Sequence, residues 1–365
     1  VVRSILKEWL LFPPKGYFVE PVYARPGVYG YFYARSFVLG FLGIAEQCQS
    51  YSEILKDEAV KYNNHDIFFV LDLQPSVQTE QRVYIQELRM CGVKVKFCIH
   101  GIVPLTHPEY FPPESFSMHR QWLSCALDSD GLICTSQTTA EELAGWISRQ
   151  PDFAGRHVPR IDWFHPGCDV ENSCPNHGMP ANGTKLLKKL KNSLAFLMVG
   201  TIEPRKGHVQ VIQAFEMLWA AGSNAKLVIV GKHGWMMEFL IERLKTHPEL
   251  CKRLFWFPDA SDEFLQKLYL SVTCLIAASY TDSFGLPLIE ASYYNLPVIA
   301  RDTPVFREAT GNNAYYFSSG SAEGLVQDIA NWVKLYKVNQ HPKAEAVPRT
   351  SWKNAAAKLL DIVLQ

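Results

Sequence analysis

Seven short stretches, apolar on both sides, constrain the fold of this chain more than anything else in it. They are DIFFVLDL (66–73), VKVKFCIHG (93–101), GLICTS (131–136), LAFLMVG (194–200), AKLVIVG (225–231), CLIAAS (274–279) and PVIA (297–300). Most run into Gly, Ser, Asp or Pro and then into a stretch with helical spacing. Strands that are apolar on both faces and separated by helices belong to parallel sheets covered on both sides. At 365 residues the chain exceeds what one core usually serves. The expectation is therefore an α/β protein of two successive doubly wound, Rossmann-like domains facing a cleft.

The rhythm breaks once. Residues 168–192, CDVENSCPNHGMPANGTKLLKKLKN, are rich in Pro, Gly and Asn before the pattern restarts at Leu194. The predicted layout is a first domain over 1–175, a linker over 176–192, a second domain over 193–350 and a closing helix over 351–365. The opening VVRSILKEWLLF has helical spacing and no initiating Met, so it reads as starting partway into a domain.

Charge and cysteine content narrow the function. Lys+Arg and Asp+Glu balance at 36 each, which argues against sequence-independent nucleic-acid binding, a process that needs a basic surplus. Nine cysteines with no C-x-x-C pattern fit cytoplasmic thiols better than a disulfide framework. No apolar run is long enough for a membrane-spanning helix, which needs about 18 residues.

In doubly wound sheets ligands gather at the carboxyl ends of strands, and four constellations lie there or near the break. In VGTIEPRKGH (199–208) a strand ends at Gly200, and Arg205 and Lys206 precede an apolar helix. A planar fork, a point charge and a helix N-terminus suit a diphosphate, although a solvated basic turn has the same letters. In SYTDSFGLPLIEASYYNLPVIARD (279–302), Asp282 and Glu290 flank Phe284, Gly285 and Leu286, with Pro287 near a helix start at 286–288. Gly285 permits close approach of backbone to a ligand. On spacing alone the plainer reading prevails: Asp282 as a turn residue and Glu290 as an acid in the first helical turn. His100 closes an apolar strand in CIHGIVPLTHPEYFP (98–112), and Asp72 ends another, so both are expected at a sheet's carboxyl edge. His107 sits in a proline-rich loop and is a weaker candidate. Finally, His165, Cys168, Cys174 and His177 supply four N/S ligands, but not at standard zinc spacing, so no metal site is assigned. The basic stretch KLLKKLK (185–191) reads as a solvated helix start rather than a membrane contact.

Taken together, GTIEPRKG, DSFGLPLIEA, PVIARDTPVFREATG, LDLQP with HPEYFP, and ICTSQTTAEELAGW resemble the family-4 retaining glycosyltransferases of GT-B architecture. The likeness is strongest to the bacterial mannosyltransferase branch that builds O-antigen and other cell-surface polysaccharides. It implies a nucleotide-sugar donor, GDP-mannose as the best guess, a glycan or lipid-linked acceptor, no other cofactor and no divalent metal. The family's paired acids fall on Asp282 and Glu290. Asp282, with backbone amides near Phe284, Gly285 and Leu286, is implied at the donor sugar, and Glu290 at the nucleotide ribose. Arg205 and Lys206, beside Gly200, are implied at the diphosphate and His100 near the reacting sugar, while Asp72, from its strand-end position, is a candidate for the acceptor side. The mechanism implied is front-face substitution with retention. Peripheral contact with the inner membrane or an assembly complex is left open.

The chain departs from the family pattern at Asp282 (usually Glu), Ser283 (usually Gly) and Thr201 (often Arg). A first strand and its glycine-containing loop would precede VVRSILKEWLL in relatives. Two other readings stay open: a nucleotide-sugar epimerase of the same architecture, and a catalytically degenerate module that binds glycan or scaffolds an assembly.

Overall fold

All seven apolar stretches form strands, each parallel to its neighbours. The computed structural model describes residues 1–43, 58–153, 155–173 and 175–365. It divides into two compact units. One comprises Val1–Leu105, Glu114–Gly167 and Trp352–Gln365; the other comprises Thr106–Pro113 and Cys168–Ser351.

In the first unit a short antiparallel pair, β1 (Val22–Ala24) and β2 (Tyr31–Tyr33), precedes a parallel sheet. That sheet runs β3 (Ile67–Val70), β4 (Lys94–Ile99), β5 (Gly131–Cys134), β6 (Arg160–Trp163) in spatial order. Alternation places Val95, Phe97, Ile99, Leu132 and Cys134 in one cluster with Ile85, Leu88, Trp122 and Leu143 of the connecting helices. The closing helix, Trp352–Leu364, packs with the opening helix, Val2–Leu11, and with β3. The Trp9 indole donates to the Ala356 carbonyl at 2.9 Å, and buried Lys96 on β4 donates to the Ile362 carbonyl at 2.9 Å.

The second unit holds β7 (Ala195–Val199), β8 (Lys226–Val230), β9 (Leu254–Phe257), β10 (Cys274–Ala277), β11 (Val298–Arg301) and β12 (Tyr315–Phe317). Their spatial order is β9-β8-β7-β10-β11-β12, the Rossmann order with its reversal between β7 and β10. Both faces are buried by strict alternation. Phe196, Met198, Leu227, Ile229 and Ile276 meet the helices His208–Ala220, Glu238–Lys245 and Ala322–Lys337. Leu197, Val228, Leu275, Val298 and Ala300 meet Asp262–Tyr269, Leu286–Tyr293 and Pro304–Thr310. Each fully buried aliphatic side chain of this kind contributes about 1.5–3 kcal/mol, so a polar residue anywhere along these strands would be costly.

The domain borders differ from the sequence reading. The stretch 176–192 was expected as a linker for its polarity. It carries the helix Gly183–Lys191, whose Leu186, Leu187 and Leu190, with Met179, pack on the second core. The basic run 185–191 is thus the outer face of a packed helix, and Lys189 donates to the Lys252 carbonyl at 3.0 Å. The segment 106–113, expected within the first domain, belongs to the second unit. Among the described residues, no helix is long and apolar enough to cross a membrane.

Candidate functional site

The reversal of strand order between β7 and β10 lets the loops that follow them diverge, and the candidate residues converge there. After β7 the chain passes Gly200, forms a single turn at Pro204–Lys206 and enters the helix His208–Ala220 through Gly207. Gly207 cannot be replaced locally: its φ is +76°, and a Cβ there would lie 2.4 Å from the Ala278 carbonyl oxygen at the end of β10. That close approach brings the two loops together.

The result is a compact ion cluster. Lys206 Nζ donates to Asp282 Oδ2 at 2.6 Å, and Arg205 Nη1 to Asp282 Oδ1 at 3.3 Å. Arg205 Nη2 lies 2.6 Å from Glu203 Oε1, and its Nη1 also donates to the Thr281 carbonyl at 3.2 Å. The side chains of Arg205, Lys206 and Asp282 are only 17, 13 and 14 % exposed, so solvent screens these charges poorly. Burial by itself would push the Asp282 carboxyl up; Lys206 and then Arg205 outweigh it and hold it at about 2. Burial raises the Glu203 carboxyl against the pull of the same cations. Beneath them the imidazole of His208 is buried and depressed to about 3, by burial first and Lys206 second. Among the described residues, the buried Arg205 Nε has no hydrogen-bond partner. Two cations are held by two carboxylates, Asp282 and Glu203, and one buried guanidinium N–H stays unmet, an arrangement that can pass its donors to an anion with several oxygens.

Eight residues on, Glu290 is not where spacing alone suggested. The helix begins at Leu286, with Gly285 as its N-cap at φ +85° and Pro287 in its first turn. Glu290 therefore lies in the second turn, beyond the reach of a helix-start role. It accepts a hydrogen bond from the buried Tyr269 hydroxyl at 2.8 Å. Burial pushes its carboxyl up to about 7, the Tyr269 hydroxyl opposes the shift and Asp262 adds to it. The Tyr269 hydroxyl is itself held well above its usual range by burial and by Glu290. The Phe284 ring packs with Cys168, Ile289 and Ala309. Gly285 has no room for a side chain, because a Cβ would stand 2.8 Å from the Phe306 ring. Lys206, Ser279, Asp282, Pro287, Leu288 and Phe306 help line a cavity of about 10 Å³, room for one water. A larger cavity of about 450 Å³ lies by the other end of the helix His208–Ala220, where Glu216 pairs with Arg243 and His247, and Arg253 with Glu249.

In the first unit His100 follows β4, and its Nε2 donates to the Leu71 carbonyl at 2.7 Å. Burial lowers its pKa, with that hydrogen bond opposing, so the neutral ring keeps Nδ1 as an acceptor. Asp72 follows the adjacent β3 and is exposed, with its carboxylate turned back to the Leu73 amide at 2.8 Å and the Gln74 side chain at 3.2 Å. The four N/S ligands of 165–177 do not form a group. His165 packs on Trp163, Cys168 Sγ lies on the Thr350 carbonyl and His177 is exposed near Glu263. Cys174 lies outside the described residues, and among those described no His/Cys/Asp/Glu group could hold a metal ion.

Sequence reasoning did not single out Glu203, His208, Tyr269, Tyr280 or Arg301. Arg301 is buried, donates to the carbonyls of Ala278 (3.0 Å) and Ser319 (3.2 Å) and lies 4.1 Å from the Tyr280 ring centroid. An arginine ending the apolar run VIAR was the one local signal of a buried cation.

Residues 185–347 match the family described as glycosyl transferases group 1. The serotype-specific mannosyltransferase WbdA of Escherichia coli is 40% identical over 363 residues, 99% of this chain and 43% of the relative. The chain thus spans less than half the length of that relative. O-antigen chain mannosyltransferase B of Escherichia coli is 27% identical over 225 residues, 58% of this chain and 54% of its own. Among solved structures, Anabaena HepE in complex with UDP and glucose is similar with a TM-score of 0.61 at 16% identity, covering 81% of this chain and 77% of that one. Sucrose-phosphate synthase from Thermosynechococcus elongatus gives 0.61 at 17% identity, covering 90% and 78%. At such identities these structures show the fold alone, the two-sheet GT-B class.

Proposed function

We propose that the chain, whose residues 185–347 match the group 1 glycosyl transferases, transfers mannose from GDP-mannose to a growing polysaccharide or lipid-linked glycan of the O-antigen type. The observation that carries this reading is the meeting of Arg205 and Lys206 at Asp282 on the strand-order reversal of the second sheet. The identity to mannosyltransferases of Escherichia coli, one of them named for the O-antigen chain, supports the choice of sugar.

In this reading Asp282 and Glu203 pair with the two cations until the donor arrives, and the diphosphate then takes them over. Arg205, with its unmet Nε, and Lys206 stabilise the charge that grows on the leaving phosphate. Charge stabilisation by side chains makes a divalent metal unnecessary. The Asp282 carboxylate and the backbone at Phe284, Gly285 and Leu286 face the sugar hydroxyls, and Glu290 accepts from the ribose. His100 Nδ1 accepts from the reacting sugar, and Asp72 stands on the acceptor side. The acceptor hydroxyl attacks from the face that the diphosphate leaves, a phosphate oxygen takes its proton, and the anomeric configuration is retained. The chain works on a cytoplasmic nucleotide sugar, with peripheral membrane contact as part of the proposal.

The test is incubation with radiolabelled GDP-mannose, UDP-glucose and other sugar nucleotides, with and without a mannoside acceptor, in the presence of a chelator. Acceptor-dependent transfer from GDP-mannose, unaffected by chelator and giving an α-linked product by NMR, is expected. Lys206→Ala and Glu290→Ala should each lower it by on the order of a hundredfold. Interconversion of the sugar without an acceptor would replace this reading with an epimerase. Glycan binding with no donor consumption would replace it with a degenerate module.

A further inference from the structure

The segment Thr106–Pro113 leaves the first unit after Leu105, packs within the second, and returns to the first at Glu114. Three prolines, Pro108, Pro112 and Pro113, stiffen it, and a single turn at Pro108–Tyr110 gives it shape. Its anchorage is aromatic. The Trp235 indole N–H donates to the Tyr110 carbonyl at 2.8 Å, and the Phe111 ring stacks on Trp235 with centroids 5.4 Å apart at 29°. The His107 ring stacks on Tyr110 (6.1 Å, 14°), and Tyr110 stacks on Tyr280 (5.9 Å, 16°).

Tyr280 is two residues from Asp282, and its backbone amide donates to the Arg205 carbonyl at 2.8 Å. Its ring also lies against Arg301, which is buried and committed to the Ala278 and Ser319 carbonyls and to Gln210. The loop that presents Asp282 to the two cations is thus held from two sides. Arg301 fixes where it leaves β10, and the stack from the 106–113 strap fixes Tyr280. Among the described residues the Tyr110 ring and carbonyl make these contacts, without its hydroxyl.

We propose that the strap 106–113 is a positioning element of the donor site, and that Tyr110 acts through Tyr280 to hold Arg205 and Asp282 in their mutual geometry. The inference rests on the donor-site reading above and adds to it a residue outside the matched domain. Without the stack, Tyr280 would turn toward solvent and the loop would sample geometries in which the cations do not converge, so the ordering would have to be supplied on binding.

The experiment measures the affinity of the chain for GDP-mannose and UDP-glucose by calorimetry, with donor and acceptor KM in parallel and melting curves to verify folding. Tyr110→Ala should weaken sugar-nucleotide binding about tenfold and raise the donor KM, with the acceptor KM unchanged. Tyr110→Phe should restore both, because the ring is what stacks. Trp235→Phe, which removes the N–H that holds the Tyr110 carbonyl, should weaken donor binding several-fold and serves if Tyr110→Ala does not fold. If the wild-type chain binds a sugar nucleotide and Tyr110→Ala binds it within twofold, the positioning role is overturned and the donor site stands. Equal impairment of the Ala and Phe variants also overturns it. If the wild type binds neither sugar nucleotide, both readings fall.

Discussion

If Glu290 accepts from the donor ribose as proposed, its raised carboxyl sets a pH dependence on donor binding. Its carboxyl stands at about 7 because burial outweighs the hydrogen bond from Tyr269, with Asp262 adding to the rise. To accept from both ribose hydroxyls it must be ionised, since a protonated carboxyl gives up part of its acceptor capacity. With a value of about 7, roughly one-tenth is ionised at pH 6 and about nine-tenths at pH 8. If only the ionised form binds, affinity rises about tenfold between those limits, or about 1.4 kcal/mol. Binding at pH 6 should also release close to one proton. A sugar nucleotide is the right ligand, because both its phosphates are diesters and lose no proton in this window. Burial keeps His100 and His208 below their usual range, so neither mimics the effect. Calorimetry in two buffers of different ionisation heat reads the proton count directly, and Glu290→Gln should flatten the profile. A wild-type affinity that is level from pH 6 to 8, or a slope that survives in Glu290→Gln, would refute the reasoning. Stability runs the other way. A carboxyl raised from 4.5 to about 7 on folding leaves the fold unpenalised below 4.5 and costs it progressively up to pH 7. The full cost is about 3 kcal/mol, so the unliganded Gln variant should be the more stable protein at pH 8 and no different at pH 4.

The ion cluster has its own acid signature. Asp282 falls from 3.8 to about 2 on folding, so it contributes about 2 kcal/mol above pH 3.8 that is lost as the pH drops through about 2. Asp282→Asn should remove that acid-side loss in denaturant titrations between pH 5 and 2, and identical slopes in both proteins would count against the pairing. Gly207→Ala places a Cβ 2.4 Å from the Ala278 carbonyl at a φ of +76°. It should cost about 2–3 kcal/mol in thermal unfolding and depress transfer, whereas an unchanged melting curve would mean that the loops do not depend on this contact.

Six of the seven strands legible in the sequence lie inside a sheet, and β3, at an edge, keeps an apolar run, IFFV. The strands that the apolar pattern missed are the β1–β2 pair and β6, β9 and β12 at sheet edges. An edge strand such as β6, RIDW, is exposed or half-buried along its length and keeps polar residues that break the apolar run. The helix start marked by Pro287 was legible for a local reason: a proline constrains its own backbone.

The chain's letters alone determined that two parallel-sheet units exist, that Gly200, Arg205 and Lys206 follow a strand end, and that Asp282 and Glu290 lie on either side of a glycine at a helix start. Tertiary structure alone decided what those side chains meet. Asp282 reaches cations 76 and 77 residues away, and Glu290 reaches Tyr269 across 21. The strap 106–113 reaches Tyr280 and Trp235 within the second unit, Trp235 lying 125 residues from Tyr110. Periodicity reports how a residue faces its near neighbours. Which distant loops share a strand-order reversal depends on the spatial order of six strands, and the pairings that follow set the protonation of both acids.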